Sequence, residues 1–355
     1  MIQKYCRLLI GLVYQSILKP ILFRFDAEWV HTRFTLLGEF FGSRELTVYL
    51  FKTLFGPALK KLQRTLHGIP FAGPVGLAAG FDYEARLTQI TPTLGFGFHT
   101  IGTITNHSYQ GNPRPMLARL PKSQSLLVNK GFKNPGADAI IRNLQNQTFA
   151  IPVGISVGRT NDATLSQEDS VKDIVSCFTK FEKARMYHSY YELNISCPNL
   201  AGDVTFYDPK ELRKLLHAID QLKLARPLFI KMPISQPNDV FEKLLQEINA
   251  SSAIGVIIGN LQQDRTDPAF DKEEIDHAGR GNFSGRPAFA RSNYLISLTR
   301  KKYKNRFTII GCGGIFSPDD AKEKLHAGAD LTQLITGMIF TGPQLIADIN
   351  DSLAS

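Results

Sequence analysis

The chain has 355 residues, 43% hydrophobic and 21% charged, a composition that excludes a disordered chain and allows one large α/β domain with an accessory region, or two ordinary domains. A formal net charge of +9 suits nucleic acid or an anionic membrane surface; no Lys/Arg block interleaved with aromatics supports the first, so no nucleic-acid partner is expected. The four cysteines (Cys6, Cys177, Cys197, Cys312) lie far apart, with neither zinc spacing nor a disulfide framework, so the compartment reads as reducing and no metal site is expected.

The N-terminal stretch has no acidic residue before Asp26, while Lys4, Arg7, Lys19 and Arg24 are basic. Between them an apolar run from Leu8 to Leu18 is broken only by Gln15 and Ser16. It reads as too short to span a bilayer and as interrupted by Pro20. No small-residue cleavage motif follows it, so a basic, apolar helix lying in the membrane interface fits better than a signal peptide. Asp26 can cap a second helix, with Trp29, Phe34, Leu37 and Phe41 at helical spacing. Ser43 can cap a third, with Glu45 in its first turn; it carries Leu46, Tyr49, Leu50, Leu54 and Phe55 and turns basic towards Lys60, Lys61 and Arg64, with Pro57 as the point where it kinks or divides. The plainer reading of each helix is a cap packed on the main domain. Three aromatic-rich helices behind a basic, acid-free start favour contact with a membrane.

From about His67 onward, β-rich runs alternate with helical stretches: Val75–Ala79, Phe98–Thr103, Pro152–Val157, Tyr190–Ile195, Leu228–Met232, Ile254–Ile258, Thr308–Gly311 and Leu331–Ile335. Most are continuously apolar, as strands buried on both faces should be. Eight such units predict an α/β fold, a (β/α)8 TIM barrel, behind an N-terminal helical extension, with boundaries at 1–64 and 65–355. A doubly wound open sheet, the competing architecture, should carry a Gly-rich turn after its first strand. The chain ends within about 20 residues of the last strand, room for one barrel helix and little more.

Barrel enzymes carry their reactive groups at the C-terminal ends of strands. The Tyr190–Ile195 strand ends in Asn194, Ser196, Cys197 and Asn199, which place two amides, a hydroxyl and a thiol within six residues. Gly76–Asp82 is small and flexible where a planar ligand could approach the backbone. Lys231 ends an apolar strand and needs a polar or anionic partner. Asn260 follows the sixth strand, and Gly311–Gly314 and Thr336–Gly337 follow the last two, where backbone amides can hold a phosphate. Singly, each feature has an ordinary structural reading. Together they put one cation, one phosphate cradle and three amides at one mouth.

Six motifs carry a resemblance to a known family: Gly76–Asp82, Ile101–Thr105, Gly111–Pro115, Asn194–Asn199, Ser284–Pro287 and Gly311–Ile315. In this order and spacing they resemble the dihydroorotate dehydrogenases, flavin enzymes of pyrimidine synthesis, from the second N-terminal helix to the C-terminus. The resemblance implies an FMN-binding barrel with cofactor contacts at Ala79, Gly80, Tyr83, Thr103, Ser156, Asn194, Lys231, Gly259, Gly285, Gly314, Ile335 and Thr336. It implies that Lys231 stabilises negative charge on the reduced flavin. It makes Cys197 the catalytic base that removes a proton from dihydroorotate, and it places the substrate against Asn129, Lys130, Gly131, Phe132, Asn194, Asn199 and Asn260. At an ordinary thiol pKa, Cys197 is only a few per cent thiolate at neutral pH. Either the site lowers that pKa or activity rises towards alkaline pH. The N-terminal helices resemble those of the membrane-associated class that reduces a quinone, and His31 and Arg119 fall where that class has polar residues near the quinone. Both also read as surface or salt-bridge residues.

The chain departs from the family pattern at several points. Cys197 is the base typical of the soluble classes, on a chain with a membrane-class N-terminus. Tyr83 stands where the family has a Lys contacting flavin and substrate carboxylate, and Val128 where it has a substrate-binding Asn. Leu261 replaces a small hydroxyl residue, and Ser156 a flavin-side Asn. A buried carboxylate needs a cation, which Lys130 or Lys133 could supply. The leading reading is a peripheral membrane enzyme that oxidises dihydroorotate through FMN and passes electrons to a membrane quinone, on the cytoplasmic face of the inner membrane or at the mitochondrial inner membrane. The alternatives are a related FMN oxidoreductase with another, uncharged substrate, and a catalytically silent homologue. A tRNA-modifying flavin barrel would explain the charge but should carry a further helical domain.

Overall fold

The structure is a computed structural model that describes residues 2–56 and 60–355. Helix α1 occupies residues 2–22, as α-helical Ile2–Val13 and Lys19–Leu22 joined by a π-helical turn, Tyr14–Leu18. Pro20 does not interrupt it. Proline lacks an N–H and its ring crowds the carbonyl four residues back, and the widened turn, in which the Lys19 N–H reaches the Tyr14 carbonyl, makes room for it. By length and composition Gln3–Leu22 is therefore apolar enough to cross a membrane, which corrects the reading of the run as too short. Its contacts show a helix lying along the barrel. Arg7 pairs with Asp351 and, at 3.7 Å, with Asp348; Tyr14 Oη donates to the Ile339 carbonyl (2.5 Å) and Gln15 Nε2 to that of Phe340 (2.6 Å).

Helix α2 is Ala27–Gly42, and the Asp26 carboxylate caps it by accepting the Trp29 N–H at 2.8 Å. Helix α3 is Glu45–Phe55. Ser43 does not cap it. With φ −83° and ψ −2°, Ser43 is still helical and closes α2, its hydroxyl bonded to the Phe40 carbonyl, while an N-cap needs extended backbone. Arg44 takes the capping position without a side-chain bond. The third helix also stops at Phe55 rather than running on to Arg64, because Gly56 turns to φ −53°, ψ 149°. The break expected at Pro57 lies outside the described residues. Arg64–Leu66 pairs antiparallel with Ile69–Phe71 as a short hairpin.

Eight parallel strands close into a barrel in sequence order. They are β1 (Val75–Leu77), β2 (Phe98–Ile104), β3 (Val153–Val157), β4 (Tyr190–Asn194), β5 (Leu228–Met232), β6 (Gly255–Ile258), β7 (Thr308–Cys312) and β8 (Leu331–Leu334). All eight match the apolar runs of the sequence. The connections from β2 onward carry amphipathic helices such as Gln167–Ala184 and Asn238–Asn249, whose apolar faces pack on the outward strand residues. After β8 there are two helices, Thr336–Thr341 and Leu345–Ala354.

Inside the barrel the side chains form tiers. Phe71 from the hairpin, Phe98, Tyr190, Phe229, Ile257, Ile310 and Leu331 plug the lower end as one apolar cluster. Above it the tier turns polar: Gln333 Nε2 donates to Thr100 Oγ1, which also bonds Tyr190 Oη, each at 2.7 Å. Three further short strands, Leu117–Leu120, Ser125–Val128 and Asn282–Gly285, make an antiparallel sheet that walls one side of the mouth.

Candidate active site

The strand ends open into one cavity, bounded by Ala79 and Gly80 after β1, Thr103 in β2, Asn194 and Cys197 at and after β4, and Lys231 in β5. Gly259 and Asn260 follow β6, Gly313 and Gly314 follow β7, and Ile335 and Thr336 follow β8. The antiparallel sheet adds Leu117, Leu126, Val128 and Gly285, and the loop after it adds Lys130, Gly131, Phe132 and Lys133. His31 of α2 closes the far side, so the N-terminal layer forms part of the wall.

Three residues expected at the site lie outside that lining. Ser156 is fully buried beneath the floor, bonded to Thr103 Oγ1 (2.9 Å) and Glu192 Oε1 (2.7 Å). Asn129 turns away, and its Oδ1 accepts from Asn112 Nδ2 at 2.9 Å. Arg119 donates to the Phe25 carbonyl at 2.7 Å and stands 4.7 Å over the Phe23 ring, which ties the antiparallel sheet to the N-terminal layer.

The amides are held by their own network. Asn194 Oδ1 accepts from the Ser196 N–H and hydroxyl, which ends β4 four residues before Pro198, and its Nδ2 donates to Thr103 Oγ1 at 2.8 Å. Asn260 Nδ2 donates to the Ser196 carbonyl and hydroxyl, so its Oδ1 is left as an acceptor. Asn199 Nδ2 donates to the Val128 carbonyl, and its Oδ1 accepts from Asn282. Asn112 clamps the loop from behind, with Nδ2 on both Asn129 Oδ1 and the Asn199 carbonyl. Its place in the Gly111–Pro115 motif was the available signal, but the motif alone gave it no role.

The charged groups differ sharply in how they are partnered. Lys133 pairs with Glu28 of α2 at 2.6 Å. The Lys130 ammonium is buried, has no hydrogen-bond partner among the described residues, and stands 4.5 Å over the Tyr83 ring. Burial lowers its pKa to about 8. Tyr83 is sandwiched from its other neighbour, the His31 ring, at 5.4 Å and 18°. Burial pushes the Tyr83 phenol up, so it stays neutral and cannot stand in for a cation. His31 donates from Nε2 to the Phe81 carbonyl at 2.8 Å; burial, with Lys130 nearby, lowers its pKa to about 3 and keeps the imidazole neutral. The Cys197 thiol is pushed up to about 11 by burial, against the opposing pull of the Asn199 N–H, Lys231 and Arg159. The site does not lower that pKa.

Comparison with known proteins gives the family. Residues 61–355 match the family model described as dihydroorotate dehydrogenase. A protein of Chloroflexus aurantiacus named dihydroorotate dehydrogenase (quinone) is 35% identical, over 97% of this chain and 96% of its own length. One of the same name from Christiangramia forsetii is 34% identical over 96% and 98%. The chain belongs to the dihydroorotate dehydrogenase family. Among solved structures, the ligand-free dihydroorotate dehydrogenase of Eimeria tenella superposes with a TM-score of 0.75 at 26% identity, over 87% of this chain and 93% of that one.

The dihydroorotate dehydrogenases are flavin-dependent, and the residues here fit such a group. Lys231 is 4% exposed and lines the cavity, and among the described residues its ammonium makes no hydrogen bond. Between the last two strands the backbone is bare: Gly314 has φ +75°, and a Cβ there would lie 2.4 Å from that of Phe289. That suits a phosphate held by main-chain amides.

Proposed function

We propose that the chain binds FMN and oxidises dihydroorotate to orotate, returning the electrons to a membrane quinone. The observation that supports this best is the convergence of a thiol, Cys197, and a cation, Lys231, on one cavity that also reaches the N-terminal layer at His31. FMN supplies the hydride acceptor when bound. Ala79, Gly80, Thr103, Asn194, Gly259, Gly285, Ile335 and Thr336 would shape its bed, Lys231 would face its pyrimidine edge, and Gly313 and Gly314 would cradle the phosphate.

The chain's own residues divide the rest of the work. Cys197 Sγ takes the proton from dihydroorotate, and the high pKa of the thiol makes its thiolate scarce but strongly basic. Lys130 binds the substrate carboxylate, replacing in space the cation that Tyr83 lacks, because its ammonium is unpaired while Lys133 is already engaged by Glu28. The Asn260 Oδ1 accepts from a ring N–H. Gly131 and Phe132 close over the pyrimidine, while Asn129 positions the loop through Asn112. Residues 65–355 form the FMN barrel. Residues 1–64 form a membrane-associating quinone region, with His31 and Arg119 on the acceptor side and the protein peripheral at the cytoplasmic face of the inner membrane. The exposed face of α1 carries Leu8, Leu9, Leu12 and Ile17.

Val128 and Leu261 favour a second reading, since both line the cavity where the family has polar groups: a related oxidoreductase acting on a less polar substrate. Anaerobic addition of dihydroorotate to the purified holoprotein separates the two. Bleaching of the flavin, reversed by a quinone, carries the first; bound flavin that stays oxidised overturns it and leaves the second.

A further inference from the structure

Beneath the cavity floor lies a carboxylate that the reaction as drawn does not use. Glu192 sits in β4, two residues before Asn194, and so points into the barrel rather than into the outer core. It is fully buried. Its Oε1 accepts from Ser156, its register partner across β3, and lies 3.8 Å from Lys231 Nζ; Lys231 is the register partner of Asn194 across β5. Among the described residues its Oε2 has no hydrogen-bond partner. Among the described residues no other cation lies within 4 Å of it.

An ionised carboxylate can only accept hydrogen bonds, and this sets the direction of a chain of them. Ser156 gives its one hydroxyl proton to Glu192, so Thr103 must donate to Ser156, Asn194 donates to Thr103, Ser196 to Asn194, and Asn260 to Ser196. Every donor in the row points down towards Glu192. The carboxylate is the terminus of the row, and Lys231 is the cation nearest to it, at 3.8 Å.

We propose that Glu192 is a positioning residue that partly neutralises Lys231 and thereby holds the bound flavin at a lower reduction potential than Lys231 alone would set. This rests on the flavin reading above. A positive group at the pyrimidine edge favours any state in which electron density moves onto that edge, and a carboxylate behind it weakens the effect. The reduced cofactor is then a stronger donor to the acceptor that follows.

Sulfite reads this without turnover: its sulfur lone pair forms a bond to flavin N5, and the displaced electron pair moves to the pyrimidine edge beside Lys231. Titrating sulfite into the holoprotein should show Glu192→Gln, which keeps an acceptor for Ser156 but removes the charge, binding about tenfold tighter than the native chain. The two-electron midpoint should rise correspondingly by about 30 mV. Ser156→Ala, which strips a donor from the carboxylate and leaves more of its charge on Lys231, should bind sulfite several-fold more weakly. A flavin-loaded Glu192→Gln protein with sulfite affinity unchanged within twofold and midpoint unchanged within about 9 mV overturns the proposal. If that variant does not retain flavin, Ser156→Ala decides, and equal or tighter sulfite binding overturns it. A native chain that purifies without flavin and takes none up overturns the cofactor reading itself.

Discussion

The barrel and the N-terminal layer place their apolar residues in opposite directions. In the barrel, Phe98, Tyr190, Phe229 and Ile310 are driven inward to fill the lower end, and the polar residues that remain inside are hydrogen-bonded. In the layer, Leu8, Leu12, Trp29, Phe34, Leu37, Phe40, Leu46 and Tyr49 face outward; among the described residues, all the exposed large apolar or aromatic side chains except Tyr187 and Tyr294 lie between residues 5 and 50. An exposed apolar surface of that extent marks an interaction site. On the proposed function the difference is a division of labour: chemistry set by tiers within the barrel, and access to the acceptor by the layer.

The largest effect should come from the barrel side. Cys197→Ala should slow anaerobic reduction of the flavin by dihydroorotate about 10²- to 10⁴-fold while leaving the bound-flavin spectrum in place; stopped-flow absorbance gives the rate, and a loss under tenfold would remove Cys197 as the base. Next is the pH profile. With the thiol pushed up to about 11, the reactive thiolate is the minor form throughout the usual range, so the rate of flavin reduction should climb about tenfold per pH unit from 7 towards 10. A plateau near pH 8 would mean that bound substrate and cofactor lower the thiol pKa.

Lys130 should have a smaller effect, on substrate affinity. Lys130→Ala should raise the dihydroorotate KM about 10- to 100-fold with kcat little changed, as loss of a charge-assisted hydrogen bond would. Because its pKa is lowered to about 8, the native KM should also rise above that pH as the ammonium is lost, while kcat continues to climb. Steady-state kinetics across pH separate the two trends. The smallest effect on the reductive half-reaction should come from the layer. The pair Leu8→Glu and Leu12→Glu should lower binding to anionic vesicles about tenfold or more and slow turnover with a membrane-embedded quinone, with flavin bleaching by dihydroorotate unchanged. Equal loss of both activities would contradict the division.

The sequence showed the eight barrel strands because strands buried on both faces are continuously apolar, a pattern that short mixed runs such as Leu117–Leu120 and Asn282–Gly285 do not share. That is why the antiparallel wall was missed, although Gly285 on it was expected at the site. Cys197, Lys231 and the amides were legible because strand ends mark the mouth. What could not be read were partners brought together by closure of the barrel. Nothing in the primary order distinguishes Lys130 from Lys133; only the position of Glu28 on α2 engages one and leaves the other unpaired. Glu192 had a signal, since period-two alternation from Asn194 turns it inward, where a charge is costly unless answered. At Pro20 the helix rule failed because one wide turn absorbed the residue that should have broken it.

The Lys133–Glu28 pair joins the loop over the substrate to the second helix of the layer. Loop and helix are thereby tied to each other. If the layer rests on lipid and the loop covers the substrate, as proposed, this ion pair is the contact through which the one would be felt by the other.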